Sequence, residues 1–96
     1  MTLEELRGPK REEILRLAAS YGAHNIRVFG SVARAESTAA SDVDFLVDLD
    51  PDRTLMDLGG LLTELEQALQ VRVDVATDRI LRAPAREQAL REAAAL

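Results

Sequence analysis

The 96-residue sequence contains no cysteine, no tryptophan and a single histidine, His24. The absence of cysteine excludes disulfides, thiol catalysis and zinc–thiolate sites, and one histidine cannot form a multi-histidine metal centre. Carboxylates are therefore the expected ligands of any metal ion. Aromatic residues are limited to Tyr21, Phe29 and Phe45, too few for the base-stacking platforms of single-strand nucleic-acid binders.

Positive charge and long apolar runs are also scarce. Twelve Lys and Arg residues against seventeen Asp and Glu give a net charge of −5, which argues against direct nucleic-acid binding. No segment reaches the roughly 18–20 apolar residues of a membrane span, and the acidic start, residues 1–5, is unlike a signal peptide. We therefore expect a cytoplasmic protein without membrane contact, folded as a single domain over residues 1–96.

The hydrophobic periodicity predicts a small α/β domain in the order helix, strand, strand, helix, strand, helix. The predicted elements are a helix from Pro9 to Gly22, strands over 25–29, 42–48 and 71–75, a helix from Thr54 to Leu69, and a last helix from Pro84. Before them, Thr2 and Glu5 have the spacing of a capping box that opens a short turn. Near the end, Asp78 is expected to cap a turn through Leu81. Two glycines inside the long helix, residues 59–60, indicate either a close packing contact or a break.

Two aspartates on the second predicted strand are the strongest candidates for metal ligands. Asp42 and Asp44 are two residues apart, so their side chains leave the same face with Cα atoms ~6.5–7 Å apart. This arrangement suits Mg²⁺, which prefers carboxylate oxygens and retains water and substrate phosphates. Asp74, on the polar side of the third strand, could bring a third carboxylate to the same place.

A phosphate-binding turn is predicted before these aspartates, with ten residues between Ser31 and Asp42. Gly30 would let a phosphate approach the backbone, the Ser31 hydroxyl could donate a hydrogen bond, and Arg34 could hold a phosphate through two parallel bonds. Each piece alone is more often a plain turn or a solvated strand face. Their convergence predicts a nucleoside-triphosphate site, where Asp74 accepts the proton of an attacking hydroxyl or completes a second metal site.

The segments 30–36 (GSVARAE) and 41–47 (SDVDFLV) resemble the signature of polymerase-beta-type nucleotidyltransferases. More narrowly, they resemble the minimal nucleotidyltransferase (MNT) antitoxins that are paired with HEPN-domain toxins. The resemblance implies a small mixed sheet flanked by helices. It assigns phosphate binding to Gly30 and Ser31, and metal binding to Asp42 and Asp44. It makes Asp74 the third catalytic carboxylate, and it matches Arg34 to the arginine of the family's Gly-Ser-x-Ala-Arg-Gly pattern. Ala35 replaces the usual glycine, at a cost of ~1 kcal/mol if its φ is positive.

The resemblance further implies an activity, a cofactor and a partner. The expected reaction is the Mg²⁺-dependent transfer of AMP from ATP to a hydroxyl group, that of a tyrosine, on a HEPN ribonuclease toxin. This modification silences the toxin. Because the chain has little beyond a catalytic core, we expect the acceptor side of the site to come from that partner. Two alternatives stay open: a small-molecule nucleotidyltransferase of the aminoglycoside type, and an antitoxin that neutralises by binding alone.

Overall fold

A computed structural model describes residues 1–96 as a four-stranded mixed sheet flanked by helices. The elements in chain order are α1 (Leu3–Arg7), α2 (Arg11–Ser20), β1 (Ala23–Phe29), α3 (Gly30–Ala33), β2 (Val43–Leu49), α4 (Leu55–Leu69), β3 (Val73–Ala76), α5 (Ala85–Glu92) and β4 (Ala94–Ala95). The predicted fold class is confirmed. None of these helices is both long and apolar enough to span a membrane.

The strands lie in the order β3-β2-β1-β4. β1 runs antiparallel to both β2 and β4, whereas β2 and β3 are parallel. The carboxyl end of β1 therefore lies beside the amino ends of β2 and β3, at one edge of the sheet. This topology decides which residues can meet in a site.

One cluster of sixteen buried apolar side chains forms the core between the sheet and the helices. On β2 the alternate residues Val43, Phe45 and Val47 lie in this cluster. Leu46 is fully buried too, although it lies outside the cluster, on the face that carries Asp44. The α4 residues of the core are Leu58, Leu61, Leu65 and Leu69.

Several helix boundaries agree with the signals that predicted them. Thr2 and Thr54 each form a capping box at the start of α1 and α4. Gly22 follows α2 with a φ of +70°, as expected of a helix-ending glycine. Helix α4 is continuous through its two glycines, and Gly60 packs against the ring of Tyr21, so the close-contact alternative is correct for Gly60, whereas Gly59 has no close neighbour.

Two local predictions are wrong, and one element was not predicted. Helix α2 begins at Arg11 rather than at Pro9, because residues 8–10 form a tight turn after α1. Asp78 does not cap a turn: its carboxylate accepts a hydrogen bond from Arg86, while the Thr77 carbonyl closes the turn through Leu81. The short strand β4, which pairs with β1, was not expected at all.

Candidate active site

The three predicted acidic residues lie at one edge of the sheet. Asp42 comes directly before β2, and Asp44 is the second residue of that strand. In the parallel pairing of β2 with β3, Asp44 is the Cα partner of Asp74, and paired residues point to the same face. Asp44 is therefore a neighbour both of Asp42 on its own strand and of Asp74 on the next.

Gly30 brings the first turn of α3 against Asp44. Phe29, the last residue of β1, is the Cα partner of Asp44, and Gly30 follows it with a φ of +72°. A Cβ atom built on Gly30 would overlap the Asp44 Oδ2 atom. Glycine is required here both for the left-handed backbone and for the close approach to the carboxylate.

An open cleft of about 420 Å³ joins these groups. It is lined by Gly30, Ser31, Arg34, Ala40, Ser41, Asp42 and Asp44. Five of the six predicted site residues thus share one cleft, and Asp74 lies outside its lining. A cavity of about 460 Å³ between α1 and α3 contains none of the six. The polar cleft is the one that suits a charged ligand.

The Asp44 carboxyl is strongly perturbed. Partial burial, followed by the charges of Asp74 and Asp42, raises the pKa of Asp44 from 3.8 to about 6, and the guanidinium of Arg34 opposes the rise. Burial disfavours the ionised form, and neighbouring carboxylates repel a further negative charge. A bound cation would relieve both effects.

The chemistry of this edge fits a hard divalent cation such as Mg²⁺, since the donors there are carboxylates. No three acidic or histidine side chains converge closely enough, as placed, to hold one ion together. Asp42 Oδ1 lies 4.0 Å from Arg72 Nε, and both side chains are exposed. The roles of Asp42, Asp44 and Asp74 as metal ligands stay predictions.

Arg34 is paired with two carboxylates. Its Nε donates to Glu36 at 3.1 Å, and its Nη1 donates to both carboxylate oxygens of Glu92 at 2.9 and 3.0 Å. Its Nη2 makes no hydrogen bond within the chain. In this arrangement Arg34 therefore has one nitrogen, Nη2, free to bind a ligand. The sequence predicts two parallel bonds instead.

Glu92 is the residue of this region that sequence reasoning missed. It lies at the end of α5, and its carboxylate also accepts a hydrogen bond from the Gly30 N–H at 3.2 Å. The two residues are 62 positions apart, so no local pattern connects them. The only signal available was the need of Arg34 for an acidic partner, which does not say which of seventeen Asp and Glu residues it would be.

Comparison with known proteins identifies the family of the chain. The sequence matches the nucleotidyltransferase domain family over residues 11–96. It is also 35% identical to the protein adenylyltransferase MntA of Thermococcus cleftensis, over 96% of this chain and 93% of that protein. The family predicted from the residue motifs is confirmed.

Solved structures agree with this assignment. A protein described as a minimal nucleotidyltransferase is 50% identical and superposes with a TM-score of 0.85, covering 100% of this chain and 97% of the other. A toxin–antitoxin complex with AMP-PNP shares the fold, with a TM-score of 0.75 at 21% identity, over 88% of this chain and 69% of that one. The chain thus belongs to the nucleotidyltransferase domain family, as one of its minimal enzymes.

Proposed function

We propose that this protein is a Mg²⁺-dependent adenylyltransferase that transfers AMP from ATP to a tyrosine hydroxyl of a HEPN ribonuclease toxin, and so acts as its antitoxin. The observation that carries the proposal is the convergence of the Gly30–Ser31 turn with Asp42 and Asp44 in one open cleft. A glycine turn beside paired carboxylates is an arrangement that can hold a triphosphate and its metal ion together.

Relatives support the donor and the kind of acceptor. The Thermococcus cleftensis relative is named a protein adenylyltransferase, and the complex that shares the fold is a toxin–antitoxin pair with AMP-PNP, an ATP analogue. Another fold neighbour is the toxin–antitoxin pair MntA–HpeT. A protein acceptor also suits the open cleft, since a partner chain can cover it. The net charge of −5 favours association with a basic, RNA-cleaving partner.

The chain's own residues divide the work of the reaction. The Ser31 hydroxyl and the free N–H groups of the first turn of α3 bind the phosphates. Asp42 and Asp44 would hold Mg²⁺, which when bound neutralises phosphate charge and favours attack at the α-phosphorus. Asp74, beside Asp44 on the next strand, accepts the proton of the attacking hydroxyl. AMP is then joined to the acceptor oxygen and pyrophosphate leaves.

The direct test is label transfer to the toxin. The protein is incubated with its toxin partner, Mg²⁺ and ATP labelled at the α-phosphate, and in parallel with ATP labelled at the γ-phosphate. We expect the α-label alone to become attached to the toxin. The paired change Asp42→Asn and Asp44→Asn should reduce transfer at least about 100-fold, since it removes the proposed metal ligands. Asp52→Asn, which removes an exposed charge outside the cleft, is the matched control.

Other outcomes identify the alternatives. Transfer of the α-label to an aminoglycoside without a partner protein would indicate a small-molecule enzyme. A toxin that is bound but never labelled would contradict the proposed reaction and leave an antitoxin that acts by binding.

A further inference from the structure

The Glu92 carboxylate is the most heavily hydrogen-bonded acidic group beside the cleft. It accepts hydrogen bonds from the Gly30 N–H at 3.2 Å, from Arg34 Nη1 at 2.9 and 3.0 Å, and from Gln88 Nε2 at 2.9 Å. Its side chain is 16% exposed. Hydrogen bonds from Gln88, and then from Arg34 and Gly30, lower the pKa of Glu92, so the group is ionised at neutral pH.

This one carboxylate connects the two ends of α3. Gly30 is the first residue of the helix and Arg34 its C-cap. Gly30 has no side chain that could restrict its backbone, and its φ is +72°. The hydrogen bond to Glu92 therefore fixes the orientation of the peptide between Phe29 and Gly30, directly beside Asp44. The Ser31 hydroxyl and the free N–H groups that follow take their direction from that peptide.

A purely structural role, attachment of the C-terminal segment, accounts for these contacts less well. Strand β4 is held independently by pairing with β1, and Arg7 and Arg11 donate hydrogen bonds to the carbonyls of Ala95 and Leu96. The other end of α5 is held by the ion pair of Arg86 with Asp78. The segment on both sides of Glu92 thus stays attached without it.

We propose that Glu92 is a positioning residue of the nucleotide site, which holds the Gly30–Ser31 turn and Arg34 in the arrangement that the triphosphate of ATP needs. The inference rests on the proposed function, because it assumes that this turn binds the phosphates. It adds a residue from the far end of the chain that does not line the cleft itself. Groups of this kind act through the residues that they orient.

The test compares three variants with the wild-type protein. Glu92→Ala removes all the contacts, Glu92→Gln keeps an acceptor oxygen for Gly30 and Arg34, and Glu87→Ala removes a charge from the same helix at an exposed position. The dissociation constant of MgATP is measured by calorimetry, and the hydrogen exchange of the Gly30 amide by NMR without nucleotide. We expect Glu92→Ala to raise the dissociation constant roughly 10-fold and to accelerate the exchange. Glu92→Gln should keep most of the affinity for MgATP and most of the protection of the Gly30 amide. Glu87→Ala should change neither the dissociation constant nor the exchange.

Two results would contradict the positioning role of Glu92 or the function on which it rests. If Glu92→Ala binds MgATP as tightly as the wild type, or more tightly, the positioning role is wrong, and tighter binding would mean that the carboxylate competes with phosphate. If the wild-type protein itself binds no MgATP, the proposed nucleotide function fails and the inference fails with it. Measuring MgATP binding by the wild-type protein therefore distinguishes failure of the positioning role from failure of the proposed function.

Discussion

At the scale of single residues, the raised pKa of Asp44 should make the stability of the protein depend on pH. The unfolded carboxyl titrates near 3.8 and the folded one at about 6, so the folded state binds more protons between these values. The free energy of unfolding of the metal-free protein should therefore fall as the pH rises through this interval. The full shift corresponds to about 3 kcal/mol, which solvent screening of a half-exposed group reduces to about 1 kcal/mol.

Asp44→Asn isolates this contribution, because asparagine resembles the protonated acid and does not titrate. We expect the variant to be about 1 kcal/mol more stable than the wild type near pH 7.5, and equally stable near pH 3, below both pKa values. Urea unfolding in the presence of a chelator measures both. Asp52→Asn, at an exposed position, should show no such pH dependence. A difference between Asp44→Asn and wild type that does not vary with pH would contradict the assignment.

Ala35 carries backbone strain that the sequence could only suggest. Its φ is +60°, the left-handed region where a Cβ atom is unfavourable. We expect Ala35→Gly to raise the free energy of unfolding by about 1 kcal/mol. Ala39→Gly, in the same loop without a positive φ, should be neutral or slightly destabilising. Thermal and urea unfolding of the two variants compare them directly, and equal effects would argue against strain at residue 35.

At the scale of elements, the two adjacent glycines of α4 differ in their surroundings. Nothing lies within 4 Å of a Cβ atom built on Gly59, whereas one built on Gly60 would lie 2.5 Å from Tyr21 Cε1. Gly59→Ala should therefore stabilise the protein by about 1 kcal/mol through helix propensity alone. Gly60→Ala should destabilise it, because the Tyr21 ring has to move. Urea unfolding gives both values, and a stabilising Gly60→Ala would show that the ring is not held in place.

The elements that could be predicted are those with local signals. Thr54 begins α4 through a capping box, and Pro84 directly precedes α5. The strand β4 could not be predicted, because Ala94–Ala95 has no strand pattern and exists only by pairing with β1. The start of α2 was misplaced for a related reason: Pro9 suits a first helical position, but contacts back to α1 use residues 8–10 for a turn.

At the scale of the whole molecule, the topology explains why most residues of the candidate site meet as the sequence predicted. The motif from Gly30 to Asp44 spans the end of β1 and the start of β2, and antiparallel pairing of these strands brings its two halves together. The position of Asp74 beside Asp44 follows from the parallel pairing of β2 with β3. The contact of Arg34 with Glu92 depends on where α5 packs, and that position is a property of the complete fold.

The proposal that the protein neutralises its toxin by attaching AMP, using Asp42 and Asp44, can be tested in cells. The most direct measurement is the intact mass of the toxin recovered from cells that also express this protein. We predict that the toxin carries the added mass of one or more AMP groups with the wild-type protein. With the Asp42→Asn and Asp44→Asn double variant it should have its unmodified mass, even where the two proteins are recovered together. An unmodified toxin in protected cells that express the wild-type protein would contradict the account.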